Sequence, residues 1–99
     1  MTSYRLRFHK LALAEWHKVD GSLREPLKKK LTERLKNPRI PSAALSGMPD
    51  YYKIKLRSAG YRLVYRVDDD VVFVTVITVG KRDKQTVYET AQSRINNNP

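Results

Sequence analysis

The chain has 99 residues, 40% of them hydrophobic and nine aromatic, a composition that fits one folded domain with a single core and not a disordered chain. Twenty Lys and Arg against ten Asp and Glu give a net charge of +10, so the expected partners are nucleic acid, an anionic membrane surface or an acidic protein. The absence of cysteine excludes disulfides and thiolate zinc sites. With no signal-peptide run, and a longest apolar stretch (71–79) too short to span a bilayer and broken by Thr75 and Thr78, a soluble cytoplasmic protein is expected.

Tyr4, Leu6 and Phe8 alternate with Arg5 and Arg7 and predict a first strand with one wet face. Leu13, Trp16 and Val19, or Ala12 and Trp16, fall at helical spacing and predict a helix over His9 to Val19, broken by Asp20-Gly21. Ser22 to Glu25 has the spacing of a capping box and opens a second helix with Pro26 in its first turn. Leu23, Leu27, Leu31 and Leu35 form its buried stripe, while Arg24, Lys28, Lys29, Lys30, Arg34 and Lys36 occupy its other faces. Asn37-Pro38 ends it, and an ordered loop follows to about residue 50. Three strands are expected near 51–57, 61–67 and 71–79. Asp68-Asp69-Asp70 connects the last two, and the near-continuous apolar run marks the third as central. Gly80 stops the sheet, a last helix spans about 83–95 with Val87, Ala91 and Ile95 on one side, and 96–99 is a frayed tail. The order β-α-α-β-β-β-α predicts a single α+β domain over 1–99, with a largely antiparallel sheet packed against helices.

Within 51–67 five cations and no acid alternate with apolar residues. Pairing Leu56 with Leu63 and Ile54 with Tyr65 sends both apolar sets to the core and leaves Ser58 to Tyr61 as the turn, with Gly60 able to take a positive φ. Lys53, Lys55, Arg57, Arg62 and Arg66 then gather on the opposite face. Alternate side chains on a strand stand about 6.5–7 Å apart, close to the spacing of successive phosphates on a single strand. Like charges facing each other destabilise a ladder, so this face points to an anionic ligand, phosphate first. One lysine there would only deter edge pairing; five favour a binding face. Lys28, Lys29 and Lys30 fit a solvated helix face or a phosphate dock equally well. Arg82 and Tyr88, just beyond the last strand, fit the rim of the cationic face as well as they fit structural positions.

RNA supplies its own nucleophile in the 2′-hydroxyl beside each phosphodiester. Arginine's planar fork suits the charge that develops on the phosphoryl oxygens. Lysine is a poor base near its ordinary pKa of about 10.4, but crowding by like charges favours its neutral form. Lys55, flanked by Lys53, Arg57, Arg62 and Arg66, is the residue so crowded, and Tyr88 suits stacking on a base or orienting the 2′-hydroxyl. His9 and His17 lie far in sequence from the cluster. Asp68-Asp69-Asp70 favours a turn over a metal site, because no second acidic cluster completes a coordination shell. Phosphate-binding glycine loops, a nucleophile elbow and metalloprotease motifs are absent, so no metal or other cofactor is expected. From these residues a non-catalytic nucleic-acid-binding module stands beside a nuclease.

Ser46-Gly47-Met48-Pro49-Asp50-Tyr51-Tyr52-Lys53-Ile54-Lys55-Leu56-Arg57-Ser58-Ala59-Gly60-Tyr61-Arg62-Leu63-Val64-Tyr65, followed by Val79-Gly80-Lys81-Arg82 and Val87-Tyr88, resembles the RelE-type toxins of bacterial type II toxin–antitoxin pairs, with the likeness spanning about Tyr4 to Ile95. The resemblance implies a fold like that of microbial ribonucleases and an endoribonuclease that cuts mRNA in the ribosomal A site, arresting translation. It implies metal-independent 2′-hydroxyl attack that leaves a 2′,3′-cyclic phosphate and a 5′-hydroxyl. Lys53, Lys55, Arg62, Arg82 and Tyr88 occupy the family's functional positions. Lys55 would be the base, Arg62 the phosphate stabiliser, Arg82 the leaving-group stabiliser or acid, Tyr88 the stacking residue and Lys53 a supporting charge. Arg57, Arg66, Lys81, Lys28, Lys29, Lys30 and Arg39 are the further expected contacts to mRNA and 16S ribosomal RNA. Ser46 stands where near relatives are expected to carry Arg, so that one RNA contact is either missing or supplied by Arg39. A RelB-like antitoxin that wraps the toxin and displaces its last helix is the implied protein partner. A ParE-like gyrase poison of the same superfamily would not require the Lys53, Lys55, Arg62, Arg82 and Tyr88 set.

Overall fold

An alternating strand and a near-continuous apolar one occupy the middle of a four-stranded sheet, and the computed structural model describes residues 3–57, 59–81 and 86–94, with the side chains of 86–88 omitted. The elements are β1 (Arg5–Phe8), α1 (Lys10–Lys18), α2 (Gly21–Lys36), a 3-10 turn (Pro41–Ala43), β2 (Tyr51–Leu56), β3 (Tyr61–Asp68), β4 (Phe73–Lys81) and α3 (Thr86–Arg94). The sheet order is β1-β4-β3-β2; β2–β3 and β3–β4 are antiparallel and β1 runs parallel to β4. This is the α+β arrangement expected. Of the last helix, residues 83–85 and Ile95 lie outside the described residues.

The helix boundaries follow from local hydrogen bonds. The buried His9 caps α1, its Nδ1 accepting from the Leu11 N–H at 3.1 Å. Ala12 is fully buried while Leu11 and Leu13 are exposed, so the Ala12–Trp16 spacing marks the packed face. α2 begins earlier than the capping box implied. The Asp20 carbonyl already accepts from the Leu23 and Arg24 N–H groups, so the Ser22 hydroxyl donates to the Asp20 carboxylate and Pro26 falls inside the helix. Leu27 and Leu31 are buried as expected, with Leu23 and Leu35 partly so.

The hairpin pairs Ile54 with Leu63, Leu56 with Tyr61 and Lys55 with Arg62, a two-residue slip from the Leu56–Leu63 register. Every side chain keeps its face, because the slip equals one pleat period. The loop between the strands is therefore 57–60, with Gly60 at φ +69°. β4 starts at Phe73 rather than Val71; Asp68 stays in the ladder opposite Phe73, and Val72 at φ +59° belongs to the connection.

α1 and α2 pack on one face of the sheet over Ile54, Leu63, Tyr65, Val67, Val74 and Val76. Met48, Tyr51, Val64, Ile77 and Ala91 form a second, smaller cluster on the reverse face, beneath α3 and the loop before β2. Arg34, expected on a solvated face of α2, instead donates to the Lys53 carbonyl (3.1 Å) and the Tyr65 hydroxyl (2.9 Å). Tyr65 in turn donates to the Pro38 carbonyl at 2.6 Å and stacks on Tyr52. Burial pushes the Tyr65 hydroxyl pKa up in spite of Arg34. Along the outer edge of β2, the Tyr51 carbonyl accepts from the Leu45 N–H and the Lys53 carbonyl from Arg34.

At the other edge, β1 ends at Phe8, opposite Val76. Beyond it a side-chain pair meets the β4 backbone. Arg94 donates to the Ile77 carbonyl at 2.7 Å, Glu15 accepts from the Val79 N–H and the Thr78 hydroxyl, and the two side chains pair at 2.9 Å. Burial raises the Glu15 pKa, but Arg94, Thr78 and the Val79 N–H outweigh it and hold the carboxyl below its ordinary value.

Two outcomes follow from these contacts. Tyr65→Phe leaves a buried carbonyl and a guanidinium short of a partner and is expected to cost about 1–3 kcal/mol, seen as a lower urea midpoint at unchanged m-value. Because Glu15 has a folded pKa below its unfolded one, its stabilisation is complete above the ordinary carboxylate range and is lost as pH falls through the folded value. Amide protection factors in 89–93 should therefore drop in acid and on Arg94→Ala, and Glu15→Gln should remove the acid step.

Candidate nucleic-acid interface

The two strands of the hairpin place their odd β2 and even β3 residues on the α3 side of the sheet. Asp50 and Val67 share a backbone hydrogen bond, so by alternation Lys55 and Arg62 are a non-hydrogen-bonded pair, the kind whose Cα atoms approach to about 4.5 Å. Lys53 lies one pleat further along. These three half-buried cations floor a groove of about 600 Å³, with 44–48 as one wall and Glu89 and Gln92 of α3 as the other. A second hollow of about 270 Å³ at the hairpin tip shares Lys55 and Arg62 and adds Arg57. Lys53, Lys55, Arg62 and Arg57 are thus brought together in an arrangement that can grip successive phosphates.

Other expected contacts are directed elsewhere. The Tyr51, Val64 and Ile77 cluster separates Arg66 from the groove, and Arg66 turns to Asp68 at 3.8 Å, which also meets Arg7 at 3.5 Å. The acid that appeared to be missing from this face is therefore supplied by the strand end. Lys81 pairs opposite Tyr61 and lines a small hollow with Glu15 and Lys18, away from the groove. Lys28, Lys29 and Lys30 are exposed on α2, on the far side of the sheet. Arg39 does not substitute at Ser46. It bonds Asp69 at 2.7 Å, Asp50 at 3.0 Å and the Tyr52 hydroxyl, which raise its pKa, while Asp69 is held low by Tyr4 and Arg39. The carboxylates of Asp68 and Asp69 thus serve arginines and a tyrosine. Ser46 itself lines the groove.

Arg82 lies outside the described residues, as does the side chain of Tyr88, whose backbone is in α3. The apolar side of the last helix gives no sign of Glu89 and Gln92 on the groove wall. Their three-residue spacing, flanking the buried Ala91, is the signal that marks a common face.

A family model described as "ParE toxin of type II toxin-antitoxin system, parDE" matches residues 6–86. The "mRNA interferase toxin RelE" of Escherichia coli is 57% identical over 93 residues, covering 94% of this chain and 98% of the relative. A free E. coli RelE double mutant superposes with a TM-score of 0.88 at 55% identity, covering 95% of this chain and 99% of the other. The toxin of the intact E. coli RelBE toxin–antitoxin complex gives a TM-score of 0.80 at 57% identity, over 83% of this chain and 100% of the other.

A groove cation and a carboxylate-paired cation are separable by experiment. In fluorescence anisotropy with single-stranded RNA, Lys55→Ala should lower the slope of log K on log salt by about 0.7, the value for one lost phosphate contact. Arg39→Ala should leave that slope unchanged and show only a small loss of stability.

Proposed function

The chain belongs to the RelE toxins of the RelE/ParE family, and from that premise we propose that it is a ribosome-dependent endoribonuclease that cuts mRNA in the A site without a metal. The observation that carries this reading is the groove floor, where Lys55 faces Arg62 across the ladder with Lys53 beside them. A phosphodiester held there meets a base and a charge stabiliser on adjacent strands. Lys55 takes the proton from the 2′-oxygen, which attacks the phosphorus in line. Arg62 binds the phosphoryl oxygens as charge accumulates on them. The bond to the 5′-oxygen breaks and that oxygen takes up a proton from water, giving a 2′,3′-cyclic phosphate and a 5′-hydroxyl. Arg82 serves the leaving oxygen and Tyr88 stacks on the base, roles drawn from the sequence signature. Lys53 adds charge to the floor.

With no His/Glu pair in this groove, alignment of the substrate falls to the ribosome, and free RNA is cut poorly. No helix of the described residues is long and apolar enough to cross a membrane, and an enzyme of translating ribosomes works in the cytoplasm. Relatives are known in complex with RelB, and a RelB-like antitoxin is the proposed inhibitor, suited to a chain of net charge +10. The description of the matching family model favours a second reading, a ParE-like gyrase poison.

Primer extension on translating ribosomes should show cuts within A-site codons, reduced by about 10²–10³ in Lys55→Ala and in Arg62→Ala, and sharply reduced in Arg82→Ala. Intact cutting by the Lys55→Ala/Arg62→Ala double variant overturns the residue assignment. Absence of cutting together with inhibition of DNA supercoiling selects the gyrase reading.

A further inference from the structure

We propose that Arg34 is a positioning residue for the cleavage reaction, acting from the helix face of the sheet by holding the backbone of Lys53. This inference rests on the reading of the groove as the nuclease site. β2 is an edge strand, with β3 as its ladder neighbour. In an antiparallel pair, the residues of a non-hydrogen-bonded pair turn their own N–H and C=O groups away from the partner strand. Lys55–Arg62 is such a pair and so, two residues along, is Lys53–Val64. The β2 residues that send ammonium groups into the groove are therefore those whose backbone receives no ladder bond from β3. The preceding loop meets that outer edge in an isolated bridge between Ala44 and Tyr52. At the next carbonyl, that of Lys53, Arg34 Nη1 donates at 3.1 Å.

Arg34 reaches this carbonyl from α2, three residues after the buried Leu31. The same nitrogen donates to the Tyr65 hydroxyl at 2.9 Å, and Tyr65 donates onward to the Pro38 carbonyl at 2.6 Å. Tyr65 is fully buried in β3, so one guanidinium nitrogen fastens both strands of the hairpin to α2. It does so where the sheet is irregular. The β3–β4 register shifts between Val64 and Tyr65, and Val64 is the residue opposite Lys53. A bulge disrupts the ladder locally and bends its strand. Arg34 braces the hairpin at that bend and is not part of the groove lining. Charged groups fixed before the substrate arrives stabilise developing charge without first reorganising. Loss of the brace lets the Lys53 ammonium shift from the phosphoryl oxygens, while the number of charges on the groove floor stays the same.

The test follows single-turnover cutting on ribosomes stalled with one A-site codon, each protein being kept well below its measured thermal transition. Wild type is compared with Arg34→Met, Arg34→Lys, Lys53→Ala and the Arg34→Met/Lys53→Ala double variant. Arg34→Met should lower the maximal rate by about tenfold to a hundredfold, the cost of a small misplacement, at an unchanged half-saturating concentration. Arg34→Lys, which keeps a donor on a long stem, should recover most of that rate. Because Arg34 acts through Lys53, the double variant should cut as slowly as Lys53→Ala alone. Losses that multiply in the double variant, or a maximal rate unchanged in Arg34→Met, overturn the inference. Absence of cutting by wild type would sink the nuclease reading instead, and the brace is then read directly by NMR relaxation. The amide order parameter of Lys53 should fall in Arg34→Met from the value of about 0.85 typical of rigid backbone; an unchanged value overturns the inference.

Discussion

The placement of α3 depends on an ion pair that stands in for a missing length of strand. β1 covers β4 only as far as Val76, and the next backbone groups of β4 would otherwise face the gap. Arg94 and Glu15 take the Ile77 carbonyl and the Val79 N–H, and Thr78 fills a further position on the carboxylate. Removing two charges from water is costly unless their remaining hydrogen bonds are met. Here they are met by each other and by the sheet, with Arg94 only 10% exposed. A helix that buries little more than Ala91 among its described side chains is thereby joined to α1 across the sheet margin. The groove wall inherits its position from that junction.

The hairpin shows a comparable division between support and chemistry. On the helix face, Arg34, Tyr65 and Pro38 form a chain of hydrogen bonds, and a further one runs from Arg34 to the carbonyl of Lys53. On the reverse face the same residue extends its side chain into the groove. A cation whose backbone is gripped from behind has less freedom to reorganise when a phosphate arrives, which is the requirement for electrostatic stabilisation. Val64, between Arg62 and Arg66, divides the row of cations into a group that lines the groove and one neutralised by Asp68.

Period-two alternation made the faces of β2 and β3 legible, along with Lys53, Lys55 and Arg62 as companions. It left the register open, since a shift of two residues preserves every face; the four-residue turn before Tyr61 and the Tyr52–Tyr65 stack accompany the register observed. Val71 and Val72 carry strand-like side chains, yet continued pairing of Asp68 pushes the turn onto them. Arg39 reads as one more cation because the carboxylates it meets come from distant segments. Arg34 stands three residues after Leu31, on the shoulder of the leucine stripe, where a long polar side chain reaches the sheet. The second core cluster draws single residues from five segments, and no local pattern announces that.

The outer margin of β2 is closed over its first half, where Leu45 and Arg34 occupy the carbonyls of Tyr51 and Lys53. The stretch toward the hairpin tip carries Lys55 and Arg57. Sheets commonly grow into fibrils through such margins, and charged flanks are a recurrent defence. Another copy of this strongly basic chain would meet its own repulsion on approach. The cations that face the groove thus also keep neighbouring molecules from joining edge to edge at high concentration.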